Sequence, residues 1–451
     1  LQVMLVITRP GGELAAIQSV AETVSLTRPQ DMELGPGGRI YMIEWGGNFG
    51  GRNRDAKIVR LDYYESSARP PVAELSASAR SGPLPLSVTL DASSSHARTG
   101  DGALGYAWDL DGDGETDAEG PRAEHTFEEA GTHSVTVTVE DEAGRTASTS
   151  REIVAGNTAP TIEIEAPARG GIYEPGARIP YRIRVTDPED RTVSSERLRV
   201  EPKMIFDTHA RYLSARSGLT GSFEIPADDA LLNEEGPFLF RKLAGLEVSY
   251  RDGGTEGAPA LTGTAEVVLQ PRTKEAEHWR SAEGAEPIVF GPDRSRTALA
   301  MEDGDYVHFD PVSFQGIDAI TVRAALGAGG EIELRLDEPN GPLLGSVDLP
   351  PAVRYETRAA GSGAGTAGAG AQGESGEEAG GGGSDEEPDP ARWVWRQPTV
   401  PIEDSEGTHA LYLVVRGPSD RVLTRIDHLR FRGPGVTADD TTAATSASDG
   451  S

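Results

Sequence analysis

Two glutamates two positions apart, Glu275 and Glu277 in the run KEAEHW, project to the same side if that run is a strand. Asp427, near the end of the chain in VLTRIDHLRF, lies beside them if first and last strands pair, as they commonly do in a jelly roll. Three carboxylates so placed repel one another unless a hard cation neutralises them, and calcium takes oxygen ligands of this kind. Without an ion they are a solvated acidic face. Trp393 and Trp395, in WVWRQPTVPI, are separated by one residue and face the same way. At least one of them is therefore accessible or rim-buried, or both turn into a core. An accessible ring of this kind is a surface on which the apolar face of a pyranose can stack.

Elsewhere the chemistry is thinner. His209 beside Asp207 is one possible site, with Asp187, Glu189 and Asp190 within reach, although a lone His on a strand is more often a packed residue than a ligand. The run Asp109, Asp111, Asp113, Gly114 has the alternating carboxylate spacing of a calcium loop. The residue at the twelfth position, where such a loop needs Glu, is Gly120. That leaves Asp-Gly turn chemistry or an incidental weak calcium site. Glycoside hydrolysis needs two placed carboxylates in a cleft, and no pair is singled out here. No catalytic residue is assigned.

The elements that carry these residues are strands. Alternating segments such as HSVTVTVED, PTIEIEAP, IPYRIRVTD, LEVSYRDGG, EIELRLD and HALYLVVRG are broken by Gly, Pro, Asn and Asp, and period-two alternation argues half-buried strands of antiparallel sheets. The fold class is all-β, in several sandwiches. A length of 451 residues suggests three or four domains. Pro-marked joints at 69–75, 156–164 and 270–278 divide the chain into 1–66, 67–156, 157–271 and 272–433. Residues 357–391 are Gly, Ala, Ser and Glu of low complexity and are expected to be a disordered insertion, as is the tail 434–451.

Composition narrows the partners. Asp and Glu number 73 against 42 Lys and Arg, a formal charge of −31, which excludes phosphate-backbone binding as a main role and disfavours an anionic membrane surface. The only lysines are Lys57, Lys203, Lys242 and Lys274. Acid excess with scarce Lys fits hydration in strong salt, or equally GC-rich codon bias with an acidic surface. With no cysteine there is no disulfide framework, Cys-ligated zinc or thiol chemistry. No run of about 18 apolar residues occurs, so membrane insertion is not expected. The opening LQVMLVITRPGG reads as the inside of a strand, and the sequence as a fragment of a longer protein.

Three family resemblances sharpen this reading. The stretch RPQDM, GPGGRIYMIEWGGNFGG and IVRLDYY, with a tight turn over Gly35 to Gly38 and a buried strand from Ile40 to Trp45, resembles the last propeller blade of glucose/sorbosone dehydrogenases. That family uses pyrroloquinoline quinone, so the resemblance implies this cofactor only if an upstream propeller exists, and none of its catalytic or quinone-binding residues is placed here. LSVTLDASSS, YAWDLDGDGETD and HTFEEAGTHSVTVTVEDEAG resemble a PKD domain, an immunoglobulin-like sandwich with Trp108 as core anchor and His133 where the family has Tyr. The pieces GDYVHF, GGEIELRLDEPNGPLLG, GTHALYLVVRG and IDHLRF, with the EAE opening, resemble a family 6 carbohydrate-binding module, a jelly roll.

The last resemblance implies a structural calcium on Glu275, Glu277 and Asp427, and a sugar platform at Trp393 and Trp395. It departs from the family at two cleft positions, where Ala300 stands for a Tyr and Arg425 for an Asn. The combined expectation is a secreted protein, extracellular or periplasmic and monomeric, whose C-terminal module binds polysaccharide or oligosaccharide. It would target a sugar-dehydrogenase propeller; the alternative is a structural spacer array on a cell surface that binds no sugar.

Overall fold

In the computed structural model every regular element among the described residues is a strand, because the alternating runs turn one face to water and bury the other. The structure describes residues 3–8, 14–20, 29–35, 39–45, 56–61, 69–98, 102–190, 192–206, 210–227, 243–276, 278–290, 296–352, 393–402, 407–417 and 422–436, and among them there is no helix. None of them forms a helix long and apolar enough to cross a membrane. Glu277, Asp207, His209, the insertion 357–391 and the tail from 437 lie outside the described residues.

The chain forms two compact units, one of Leu1–Ala168, Pro175–Ala227 and Arg241–Leu269, the other of Arg169–Glu174, Asp228–Phe240 and Gln270–Ser451. In the first, Pro29–Leu34, Ile40–Glu44 and Lys57–Leu61 make a three-stranded antiparallel sheet. The strand expected to be buried from Ile40 to Trp45 is so on one face only. Met42 and Glu44 are buried, whereas Ile43 and Trp45 are 51% and 44% exposed, as strict alternation on a one-sided sheet requires.

The next stretch is a two-sheet sandwich. Its centre is the hairpin Gly131–Glu140 with Thr146–Ala155, paired from Gly131↔Ala155 to Glu140↔Thr146. Val135, Val137 and Val139 are fully buried, while Thr136 and Thr138 point outward to hydroxyls of Ser150 and Ser148 at 2.9 Å. Trp108 lies at the centre of this core, fully buried, and its Nε1 donates to Gly120 O at 2.8 Å. A further sandwich follows, with one sheet of Thr161–Ala166, Arg178–Thr186 and Thr220–Glu224. Ala210–Tyr212, Leu198–Ile205, Leu243–Arg251 and Thr262–Pro271 follow one another in the facing sheet.

The second unit is a jelly roll. One sheet runs Glu286–Phe290, Arg296–Met301, Thr424–Arg432, Ala319–Leu326, Trp395–Arg396, with Thr273–Glu275 also paired to Thr424–Arg432 and Thr399–Pro401 to Ala319–Leu326. The other runs Ser281–Glu283, Tyr306–Ser313, Thr408–Arg416, Gly330–Leu336, Leu343–Leu349. Between them lies one apolar core that includes Met301, Phe309, Phe314, Val322, Leu334, Leu413, Ile426 and Phe431. Each such side chain contributes roughly 1.5–3 kcal/mol on burial.

Candidate functional site

The first and last strands of the jelly roll do pair: Thr273↔Arg430, Lys274↔Leu429, Glu275↔His428. The last strand also carries a β-bulge. Its partner Ala319–Leu326 pairs Arg323 with His428 and then Ala324 with Ile426, so Asp427 is the extra residue. A bulge turns two successive side chains to one face. Ile426 and Leu429 accordingly both enter the core, while Asp427 and His428 share the other side with Glu275. Oxygens of Glu275 and Asp427 and a ring nitrogen of His428 lie within 4.8 Å of one another.

Asp427 is 1% exposed. Its Oδ2 accepts from Arg296 Nη2 at 2.5 Å, from His428 Nδ1 at 3.0 Å, and from Arg323 Nη1. Burial alone would raise its pKa, but the hydrogen bonds from His428 and Arg323 and the charges of Arg296 and Arg323 hold the carboxyl below the ordinary carboxylate range. Oδ1 is buried with no hydrogen-bond partner. An unpartnered buried acceptor on a residue that clusters with Glu275 and His428 fits a hard cation, since the arginines engage only the opposite oxygen.

On the same outer face a small aromatic cluster gathers Phe290, Ala298, Ala325 and Trp393, with Ile288 and Trp395 packed against it. The ring centres of Trp393 and Trp395 are 5.8 Å apart, edge to face, and Phe290 lies 5.6 Å and 5.1 Å from them. Each ring has a guanidinium: Arg425 4.8 Å from Trp393, Arg323 4.1 Å from Trp395, and Arg296 5.3 Å from Phe290. Trp393 is 9% exposed, and Trp395 is half-buried. Ala300 and Arg425, the two positions that depart from the family, are cross-strand partners. Sequence reasoning missed Phe290, Arg296 and Arg323. Phe290 and Arg296 are themselves cross-strand partners, a pairing fixed by the hairpin and invisible in the linear text.

A second aromatic strip occupies the other sheet. His308 stacks on its cross-strand partner Tyr412 at 4.8 Å, and Tyr306 lies 5.5 Å from Tyr412. On the neighbouring strand Glu333 accepts from Arg335 Nε at 2.8 Å and from Arg416 Nε at 3.3 Å. The hydrogen bond from Arg335 leads in holding the Glu333 carboxyl below its ordinary range.

In the earlier sandwich the aspartate run does turn chemistry. Asp109 accepts from Gly112 N at 2.7 Å and from Gly114 N at 3.1 Å, and Asp111 and Asp113 accept from the amides two residues on. Gly112 and Gly114 take φ of 83° and 90°, which only glycine adopts without cost. Oxygens of Asp109, Asp111 and Asp117 come within 4.8 Å of one another at this exposed corner.

Comparison with known families agrees with this architecture. Residues 68–155 match the model of the PKD domain, and residues 275–370 match that of the carbohydrate binding module (family 6). The chain thus carries an immunoglobulin-like PKD domain and a family 6 jelly-roll module, and the module is one of carbohydrate binding. A curated relative, an arabinoxylan arabinofuranohydrolase of Paenibacillus polymyxa, is 26% identical over 179 residues, 38% of this chain. The chain spans 22% of that relative's length. Solved structures that match part of this chain include a family 6 carbohydrate-binding module from Clostridium cellulolyticum in complex with xylose (20% identity, TM-score 0.25, 36% of this chain and 95% of that one). Another is a β-1,3-glucan binding module of the same family from Bacillus halodurans (22% identity, TM-score 0.25, 36% and 95%).

Proposed function

We propose that the C-terminal module holds oligosaccharide or polysaccharide chains on the outer face of its seven-stranded sheet. Trp395 supplies the stacking surface there, and the buried Trp393 supports it. The observation behind this reading is the aromatic cluster Phe290–Trp393–Trp395 ringed by Arg296, Arg323 and Arg425, because rings give the apolar contact and guanidiniums the hydrogen-bond donors that sugar recognition needs. A pull-down of the full chain on insoluble xylan and β-glucan tests it. Wild type should be retained and Trp395→Ala released. Equal retention of the variant would move the site to the Tyr306–Tyr412 strip.

A calcium ion on Glu275, Glu277 and Asp427 is part of the same proposal. The chemistry it would supply is charge neutralisation between the first and last strands; the protein's own part is the bulge, which puts Asp427 and His428 on one side with Glu275. In the wider protein the module would target a secreted enzyme to polysaccharide. The antiparallel sheet that Pro29–Leu34, Ile40–Glu44 and Lys57–Leu61 form among the described residues is of the kind that builds a propeller blade, and supports an upstream quinone-dependent sugar dehydrogenase as that enzyme. Pyrroloquinoline quinone would belong to that upstream propeller. The spacer reading has two observations on its side: Arg425, only 4% exposed, lies over one face of Trp393, and Arg323 lies 4.1 Å from the centre of the Trp395 ring.

A further inference from the structure

Arg296 and Arg323 meet at a single atom, Asp427 Oδ2, which brings their two guanidinium forks side by side on the outer face of the seven-stranded sheet. The Arg296 side chain is 45% exposed and the Asp427 side chain 1%, so the carboxylate lies beneath the surface and that cation lies at it. Each guanidinium spends one N–H on Asp427, and among the described residues the remaining N–H groups of both have no second acceptor. Both also belong to the aromatic cluster, Arg323 lying over Trp395 and Arg296 over Phe290. Arg396, exposed next to Trp395, donates to the Trp395 carbonyl at 3.1 Å and pairs with no carboxylate among the described residues.

Arg296, Arg323, Arg396 and Arg425 thus stand against Asp427 and its neighbour Glu275. Glu286 shares this face, and strand register fixes how far off it is. Glu286, Ala300, Arg425, Ala325 and Trp395 stand opposite one another on five successive strands. Four strand spacings put Glu286 roughly 19 Å from Trp395. That is more than twice the screening length of about 8 Å in physiological salt. In a chain with a formal charge of −31, the surroundings of Trp395 therefore carry the opposite sign, and the same screening mutes the repulsion from acids farther away.

We infer that this face selects an anionic sugar, one that carries a carboxylate or a sulfate ester, over a neutral one. The inference rests on the reading that the C-terminal module holds saccharide on this sheet, and it names the class of sugar. The Trp395 ring contacts either kind alike, so the choice falls to the guanidiniums. An acidic oxygen accepts charge-assisted hydrogen bonds from Arg296 and Arg323, about twice as strong as those a neutral hydroxyl accepts. The planar fork of arginine also matches a carboxylate or sulfate through two parallel N–H bonds, which a hydroxyl does not offer.

The test is calorimetric titration of the whole chain, with calcium present, by xylo- and β-gluco-oligosaccharides of one length. Each is used in three forms: neutral, carrying a uronate, and carrying a sulfate ester. At least one acidic form should bind about ten-fold more tightly than its neutral parent. That preference should shrink as sodium chloride rises from about 0.05 M to about 0.5 M. Arg296→Gln should bring the acidic form close to the neutral affinity, and Arg296→Lys should keep most of the difference. Should Arg296→Gln fail to fold, the salt series on wild type decides, since a preference that salt leaves unchanged would not come from these charges. Equal affinity for acidic and neutral forms, or a preference kept in folded Arg296→Gln, would overturn the inference and leave saccharide binding intact. Absence of heat from every form would remove the saccharide reading and this inference with it.

Discussion

Ala300 and Arg425 face each other across neighbouring strands of the jelly roll, and the guanidinium of Arg425 lies 4.8 Å from the centre of the Trp393 ring. The two departures from the family pattern are therefore one feature. A methyl group at 300 leaves space on the outer face, and the arginine opposite fills it by stacking on the indole. The result is a tryptophan held by the protein's own cation, beside a second tryptophan that keeps part of its surface open.

That arrangement makes Trp393 a packing residue first. Trp393→Ala should lower unfolding free energy by about 3–5 kcal/mol in urea melts, as for other buried aromatic truncations. Arg425→Ala should cost roughly 1–2 kcal/mol through the lost cation–π contact. A Trp393→Ala protein as stable as wild type would place the ring outside the packed cluster.

Asp427 gives the module a pH dependence with a defined sign. Its folded pKa is lowered, so the stability it contributes is present above the unfolded value of about 3.9 and is lost as pH falls through the folded pKa. Melting temperature measured from pH 6 to pH 2.5 should drop below about pH 4, and Asp427→Asn should flatten that part of the curve. A variant with the same acid slope as wild type would show that other carboxylates carry it.

Much of this architecture can be read in the linear text, for a physical reason. Val135, Val137 and Val139 alternate with threonines because one face meets Trp108 and the other meets water, so the strand and its core announce themselves together. The bulge at Asp427 left a trace too: Ile426 and Leu429 are three apart, and two core residues of a regular strand are always an even number apart. What the text cannot carry is pairing between distant strands. Arg296 reaching Asp427, and Asn157 reaching Asp252, depend on which strands lie side by side. For the same reason Trp393 reads as a platform until Thr424–Arg432, one strand beyond its neighbour in the sheet, is seen to bring Arg425 over it.

In the PKD domain Trp108 is the largest fully buried side chain of the core. Trp108→Ala removes a fully buried ring and leaves Gly120 O without its donor, and should destabilise that domain by about 3–5 kcal/mol in calorimetric melts. The melting of the C-terminal jelly roll should be unchanged.

Calcium at the first and last strands of the jelly roll has a thermal signature. Calcium chloride at about a hundred times its dissociation constant should add about 2.7 kcal/mol to the stability of the jelly roll. Glu275→Gln should abolish that gain there while leaving the chelated melt close to wild type. A calcium shift of the same size in the variant would remove Glu275 from the site.

Calorimetric titration of the whole chain, with calcium present, by xylo-, β-gluco- and agaro-oligosaccharides tests carbohydrate binding most directly. Binding of at least one series with one site per chain, lost in Trp395→Ala, is the predicted result. No binding heat from any series would contradict the account and leave the spacer array as the reading that stands.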